Sequence, residues 1–199
     1  MLGFTEQYIT PFAIALKATS AQIGMLAAFP SLISSLVQLK SADVTEHLKS
    51  RRRILNIFVL SHAFMFIPIL LIPFIFRENS MLWLIFFVTL LNSVGAFPGP
   101  AWASLMADHI PASARGKYFG WRNRFIGAIT VACALLAGFI LNAFGKETYA
   151  GFVVIFGLAC AARFISWYFL SKMYEPHMKI THEHYFNFWD FIKRVKESN

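Results

Sequence analysis

The chain has 199 residues, of which 57% are hydrophobic and only 14% charged, whereas water-soluble domains carry about 25% charged and about 45 to 50% apolar residues. The excess apolar surface needs lipid, which excludes an ordinary soluble domain. The net charge of +8 does not point to nucleic acid, because the cations cluster at segment ends rather than on one continuous basic face.

Residues 1–18 are apolar but interrupted by Glu6, Gln7 and Pro11, and are too short to span alone, since a crossing takes about 20 residues. They read as the outer portion of a first helix whose beginning is absent, with no signal-peptide pattern. Thr19 and Ser20 offer an N-cap before a second helix, Ala21 to Leu39, with a polar end running towards Leu48. A basic loop from Lys40 to Arg53 follows, then a third helix, Ile54 to Phe76, with bends expected at Pro68 and Pro73. After a tight turn, Met81 to Ala107 is the fourth, broken or kinked around Pro98-Gly99-Pro100. A polar hinge at Asp108 to Ala114 leads to a fifth, Tyr118 to Phe144, and a short turn to a sixth, Tyr149 to Leu170.

The loops at 40–53, 108–124 and 172–199 hold five, four and five Lys plus Arg, against Lys17, Arg77 and Lys146 on the alternate side. Positive residues accumulate on the cytoplasmic side, so the heavy loops and the C-terminal tail are expected in the cytoplasm of a cell (plasma or inner) membrane protein. The domain expectation is a transmembrane bundle over 1–172 and a cytoplasmic segment over 173–199. In that segment Phe186, Phe188, Trp189, Phe191, Ile192 and Val195 can line one helical side opposite Lys193, Arg194 and Lys196. It can lie in the headgroup plane or serve as a solvated linker with a short helix.

The end of the fourth helix, SLMADHIPASARGKYFG, carries Asp108, Pro111, Arg115, Gly116 and Gly120. This pattern resembles the acid, proline, Arg-Gly signature between helices four and five of major facilitator superfamily transporters, and the resemblance extends over essentially the whole chain. In the loop after the second helix, Glu46 and Arg51 match in kind the acid and one Arg of the family's other motif; Ala42 and Lys49 stand at its glycines. The Gly-Pro and glycine-pair pattern of drug/proton antiporters is absent from Tyr118 to Phe144. The resemblance implies an all-α, six-helix N-terminal half, its first helix incomplete, that moves a small solute by alternating access. Such transporters pair two six-helix halves around a site near the bilayer midplane, so the chain is expected to be a half-transporter or a fragment. Its partners would be a solute, a coupling ion, the bilayer and a second half or another copy.

On the same resemblance, Glu46, Arg51, Asp108 and Arg115 are gating candidates, and Asp108 can pair with Arg115 across the turn. Gly116, Gly120 and Gly127 recur near helical spacing and are expected to let helices approach closely. Arg163 lies seven residues before Leu170, about 10 Å deep by helical rise, and Glu6 lies inside the first helix. Ionisable groups at such depth face a bundle interior or a water-filled cavity. Glu6, Asn92 and Arg163 are therefore the candidate solute or proton residues, or Glu6 and Arg163 pair with each other. Asn92, Gln38 and His62 also read as interhelical hydrogen-bonders.

Cys133 and Cys160 have no metal-type spacing, and His177, His182 and His184 lack partner ligands. No nucleophile with its base, phosphate-cradling loop or catalytic His pattern is present, so neither an enzyme nor a cofactor is expected. A non-transporting scaffold or assembly subunit is the alternative.

Overall fold

The computed structural model describes residues 2–41, 44, 48, 50–145 and 149–175. Among these the chain is all-helical: α1 (Leu2–Thr5), α2 (Ile9–Ala15), α3 (Ser20–Gln38), α4 (Arg51–Phe64), α5 (Phe66–Ile75), α6 (Ser80–Ala96), α7 (Pro98–His109), α8 (Ala112–Phe144) and α9 (Ala150–Ser171). Five stretches are long and apolar enough to cross a membrane: Ser20–Gln38, Arg51–Ile75, Ser80–His109, Ala112–Phe144 and Ala150–Ser171.

Local chemistry sets the boundaries. Thr19 caps α3 as expected: its hydroxyl accepts from Gln22 N at 3.3 Å, and the Gln22 side chain accepts from Thr19 N at 2.9 Å, which satisfies two otherwise orphaned amides. The third crossing breaks at Met65, because Pro68 has no N–H for the Phe64 carbonyl four residues earlier. The fourth breaks at Phe97, ahead of Pro98, and the Ser41 hydroxyl donates to the Phe97 carbonyl at 2.9 Å. Membrane helices tolerate proline when neighbours re-satisfy the backbone in this way. Gly145, at φ +76°, ends α8 in the left-handed region where glycine avoids the Cβ penalty.

Two expectations need correction. The first crossing is not one helix: Glu6 to Tyr8 form a turn between α1 and α2, so Glu6 sits at a break rather than inside a helix. The polar hinge after α7 is only Ile110 and Pro111, and Arg115, Gly116 and Gly120 already belong to α8. Proline at 111 favours an extended residue before it, and Ile110 is extended (φ −114°, ψ 119°), so a sharp corner suffices. Glu46, the polar end near Leu48 apart from isolated positions, and the tail from 176 onward lie outside the described residues.

α3 lies along α6, while α9 packs on α4 and α5, and α1 on α8. The core is aromatic at its centre. Phe12 meets Phe152 and Phe156 at ring separations of 5.1 and 5.2 Å, and Ile69, Leu84, Val88, Ala137, Ile155 and Ala159 close around them. α8 contributes Ala137 as its buried residue and turns Trp121, Phe125, Ile129, Leu135 and Phe139 outward.

Candidate functional site

Six elements converge on a cavity of about 300 Å³. The α1–α2 break presents Glu6 with Thr5 and Ile9 on either side, α3 presents Ser34, and α4 and α5 present His62 and Phe66. α6 supplies Asn92 beside Leu91, Gly95 and Ala96, and α9 supplies Arg163. The three residues singled out by sequence as solute or proton candidates thus border one space. His62, read only as an interhelical hydrogen-bonder, joins them.

Depth follows from helix position. Arg163 lies eight residues before Ser171 and His62 eleven after Arg51, which puts them about 12 and 16 Å along their helices from the cation-rich ends, near the middle of a hydrocarbon core about 30 Å thick. His62 is 6% exposed, edge-on to Phe66 at 5.5 Å. Gly95 makes room for it: a Cβ there would lie 2.9 Å from the imidazole Cδ2. The His62 Nδ1 and Arg163 Nε are both buried without a hydrogen-bond partner among the described residues. Glu6 and Arg163 border the cavity without forming an ion pair with each other.

A second polar cluster lies at the cation-rich end of α4. Asp108 accepts from Arg51, not from Arg115: Arg51 Nη1 reaches Asp108 Oδ2 at 2.6 Å and donates to Ser104 Oγ at 2.9 Å. Arg115 instead donates to the Ile110 carbonyl at 3.1 Å and the Ala107 carbonyl at 2.6 Å. The reason is that the last carbonyls of α7 have no intrahelical donors, and a cation four residues past the corner reaches back to them directly.

Glu175, just past α9, completes the cluster. Its carboxylate accepts from Ser50 Oγ at 2.7 Å and from the backbone N of Arg51 and Arg52 at 2.6 and 3.3 Å. The Arg52 side chain meanwhile donates to the Ser171 carbonyl. Three arginines in the first turn oppose the helix dipole, and an acid at that end offsets them. Nothing in the sequence flagged Glu175, because its partners lie more than 100 positions away. An ionisable residue within an apolar crossing was the available signal for His62.

Gly116, Gly120 and Gly127 face open space: a Cβ at each meets nothing within 4 Å. The close helix approach is at Gly3, where a Cβ would collide with the Thr130 carbonyl oxygen and lie 2.7 Å from Cys133 Cβ. Among the described residues no group of His, Cys, Asp or Glu is placed to hold a metal.

A family model of the Major Facilitator Superfamily matches residues 1–191. The chain belongs to that superfamily. Neither the curated proteins nor the solved structures yield a match. Major facilitator proteins are membrane transporters of small solutes rather than enzymes, and this chain is a multi-pass membrane protein of that family. Within a major facilitator protein the two clusters have distinct chemistry. The mid-depth cavity offers one carboxylate, one guanidinium, one imidazole and one amide; the Arg51–Asp108–Glu175 group ties three helix ends together.

Proposed function

We propose that this chain is the N-terminal bundle of a secondary transporter that moves a small solute by alternating access, with the cavity between α1–α2, α3, α4, α6 and α9 as its share of the solute site. The convergence of Glu6, His62, Asn92 and Arg163 on one space at mid-depth carries this reading, since ionisable groups are retained there mainly for function and superfamily-type transporters bind near the midplane between two halves. Arg51, Asp108 and Glu175 act as a cytoplasmic latch: the contacts hold one conformation and separate in the other. Arg115 steadies the α7–α8 corner, and Gly116 and Gly120 leave the adjoining face of α8 free for a second six-helix half or another copy. On the resemblance to the family's other motif, Glu46 is a further gating candidate. Residues 1–172 form the bundle and 173–199 a cytoplasmic segment, in a plasma or inner membrane, with an ion or solute gradient as the energy source.

Alternating access predicts that a cysteine at Ser34, in a background lacking Cys133 and Cys160, is labelled from either face of sealed vesicles, in proportions that change when the latch is cut by Asp108→Asn. Labelling from one face only, with and without the latch, overturns the reading. Glu6→Gln is expected to abolish flux in proteoliposomes or change its pH dependence; unchanged flux and pH profile remove Glu6 from the mechanism.

A further inference from the structure

We propose that the cavity recognises a small organic molecule with a single carboxylate and a hydrogen-bond donor elsewhere, with Arg163 and His62 taking the carboxylate and Glu6 taking the donor. The inference rests on the reading of this cavity as the solute site and adds the class of solute.

Charge and burial lead there. Arg163 stays a cation in any protein environment, and a buried cation without a partner is costly. Yet its Nε is sealed from solvent with nothing to donate to, and no carboxylate pairs with it among the described residues. His62 repeats the pattern on the facing helix, buried, with its Nδ1 unpartnered. Arg163 and His62 nevertheless border one space, a guanidinium beside an imidazole is the complement of an oxyanion, and an arginine presents its N–H groups in the planar fork that carboxylates match.

Glu6 narrows the class. It borders the same cavity, is exposed, and forms no ion pair with Arg163. A dianion would meet like-charge repulsion there, whereas a hydroxyl or ammonium group would meet an acceptor. Phe66 and Leu91 also line the cavity and suit a short hydrocarbon stem. A volume of about 300 Å³ sits at the small end of ligand pockets, which run to about 1,000 Å³.

The test compares matched carboxylates and amides on the full chain in lipid nanodiscs: lactate against lactamide, alanine against alaninamide, and benzoate, which lacks a donor, against benzamide. Calorimetry is expected to give lactate or alanine at least about tenfold tighter binding than its amide, with benzoate weaker than either. The wild-type comparison decides even if variants fold poorly. Arg163→Gln should erase the preference for carboxylate over amide, and Arg163→Lys should retain part of it. Equal binding of acid and amide in every pair, no binding of any carboxylate, or a preference that survives Arg163→Gln overturns the inference. Flux in proteoliposomes separates the two readings. With a second six-helix half present in the proteoliposomes, selective carboxylate binding without flux removes the transport reading and keeps this one, whereas flux of another solute that no carboxylate inhibits does the reverse.

Discussion

Arg51 and His62 stand eleven residues apart in α4, three helical turns, and therefore share one face. Both are buried, at 4% and 6% exposure. One helix thus carries the latch at its end and a cavity wall at its middle. α9 repeats the arrangement, with Arg163 at the cavity and Glu175 just past the helix end on the latch. A solute that draws on His62 and Arg163 pulls on the two elements whose ends are tied together.

Cutting the latch should alter conformation more than stability. Asp108 is 46% exposed but Arg51 only 5%, so the substitution is one that keeps an acceptor: the Asn amide oxygen can still take a hydrogen bond from Arg51 Nη1, which also keeps Ser104 Oγ, and the buried guanidinium is not left bare. Asp108→Asn is therefore expected to leave the melting temperature within a few degrees of wild type while changing the accessibility of a cysteine at Ser34. Arg115→Gln, which breaks two contacts to carbonyls but no ion pair, should not reproduce the change. Equal effects of the two substitutions would assign the behaviour to the α7–α8 corner instead.

Glu175→Gln should loosen the start of α4. The substitution keeps the side chain's size but removes the negative charge facing three arginines, for an expected loss of about 1 kcal/mol, the scale of a cap or dipole contact. Thiol-reactive melting, using the free Cys133 and Cys160, can report it. Glu175→Asp should recover part of the loss if charge is the cause.

Glycine effects should run opposite to the spacing rule. Gly3→Ala forces α1 away from Thr130 and Cys133 and is expected to lower the melting temperature or yield. Gly120→Ala enters open space within a helix, where alanine is favoured over glycine by about 1 kcal/mol, so it should be neutral or stabilising in the isolated chain. A destabilising Gly120→Ala would show that a neighbour covers that face.

Phe12→Ala should be among the most damaging single changes. Phe12 is 1% exposed and meets Phe152 and Phe156, so truncation combines lost burial with a cavity, about 3 to 5 kcal/mol. Loss of the folded, monodisperse peak in detergent chromatography is the expected readout; wild-type behaviour would mean that α2 is not anchored through this cluster.

Hydropathy and proline positions carried most of the fold, because a membrane crossing is set by about 20 consecutive residues and a proline removes a defined hydrogen bond. The breaks near Pro68 and Pro98 and the five crossings were legible in that way, and the cap at Thr19 from its side chain, whereas Gln22 as its partner was not singled out. The partner of Asp108 was not. Arg115 is seven positions away and Arg51 fifty-seven, and only the packing of α4 against α7 selects the distant one. Gly116 and Gly120 misled for a related reason: spacing says which residues share a face, but not whether anything stands opposite it. Gly3, alone in its segment, had no spacing to notice. For the cavity, depth alone selected Glu6 and Arg163, while His62 needed the geometry of Gly95 and Phe66 to separate it from an ordinary buried histidine.

Trp102 lies just past the Pro98–Pro100 break, packing edge-on to Phe119 at 6.0 Å and beneath the Arg122 guanidinium at 4.2 Å. Both of those residues belong to α8, so the indole clasps the two helices, and Arg115 staples them again at the corner. α7 and α8 then behave as one bent crank. A few degrees of rocking at the break, amplified along a helix about 50 Å long, would become a displacement of several ångströms at its far end.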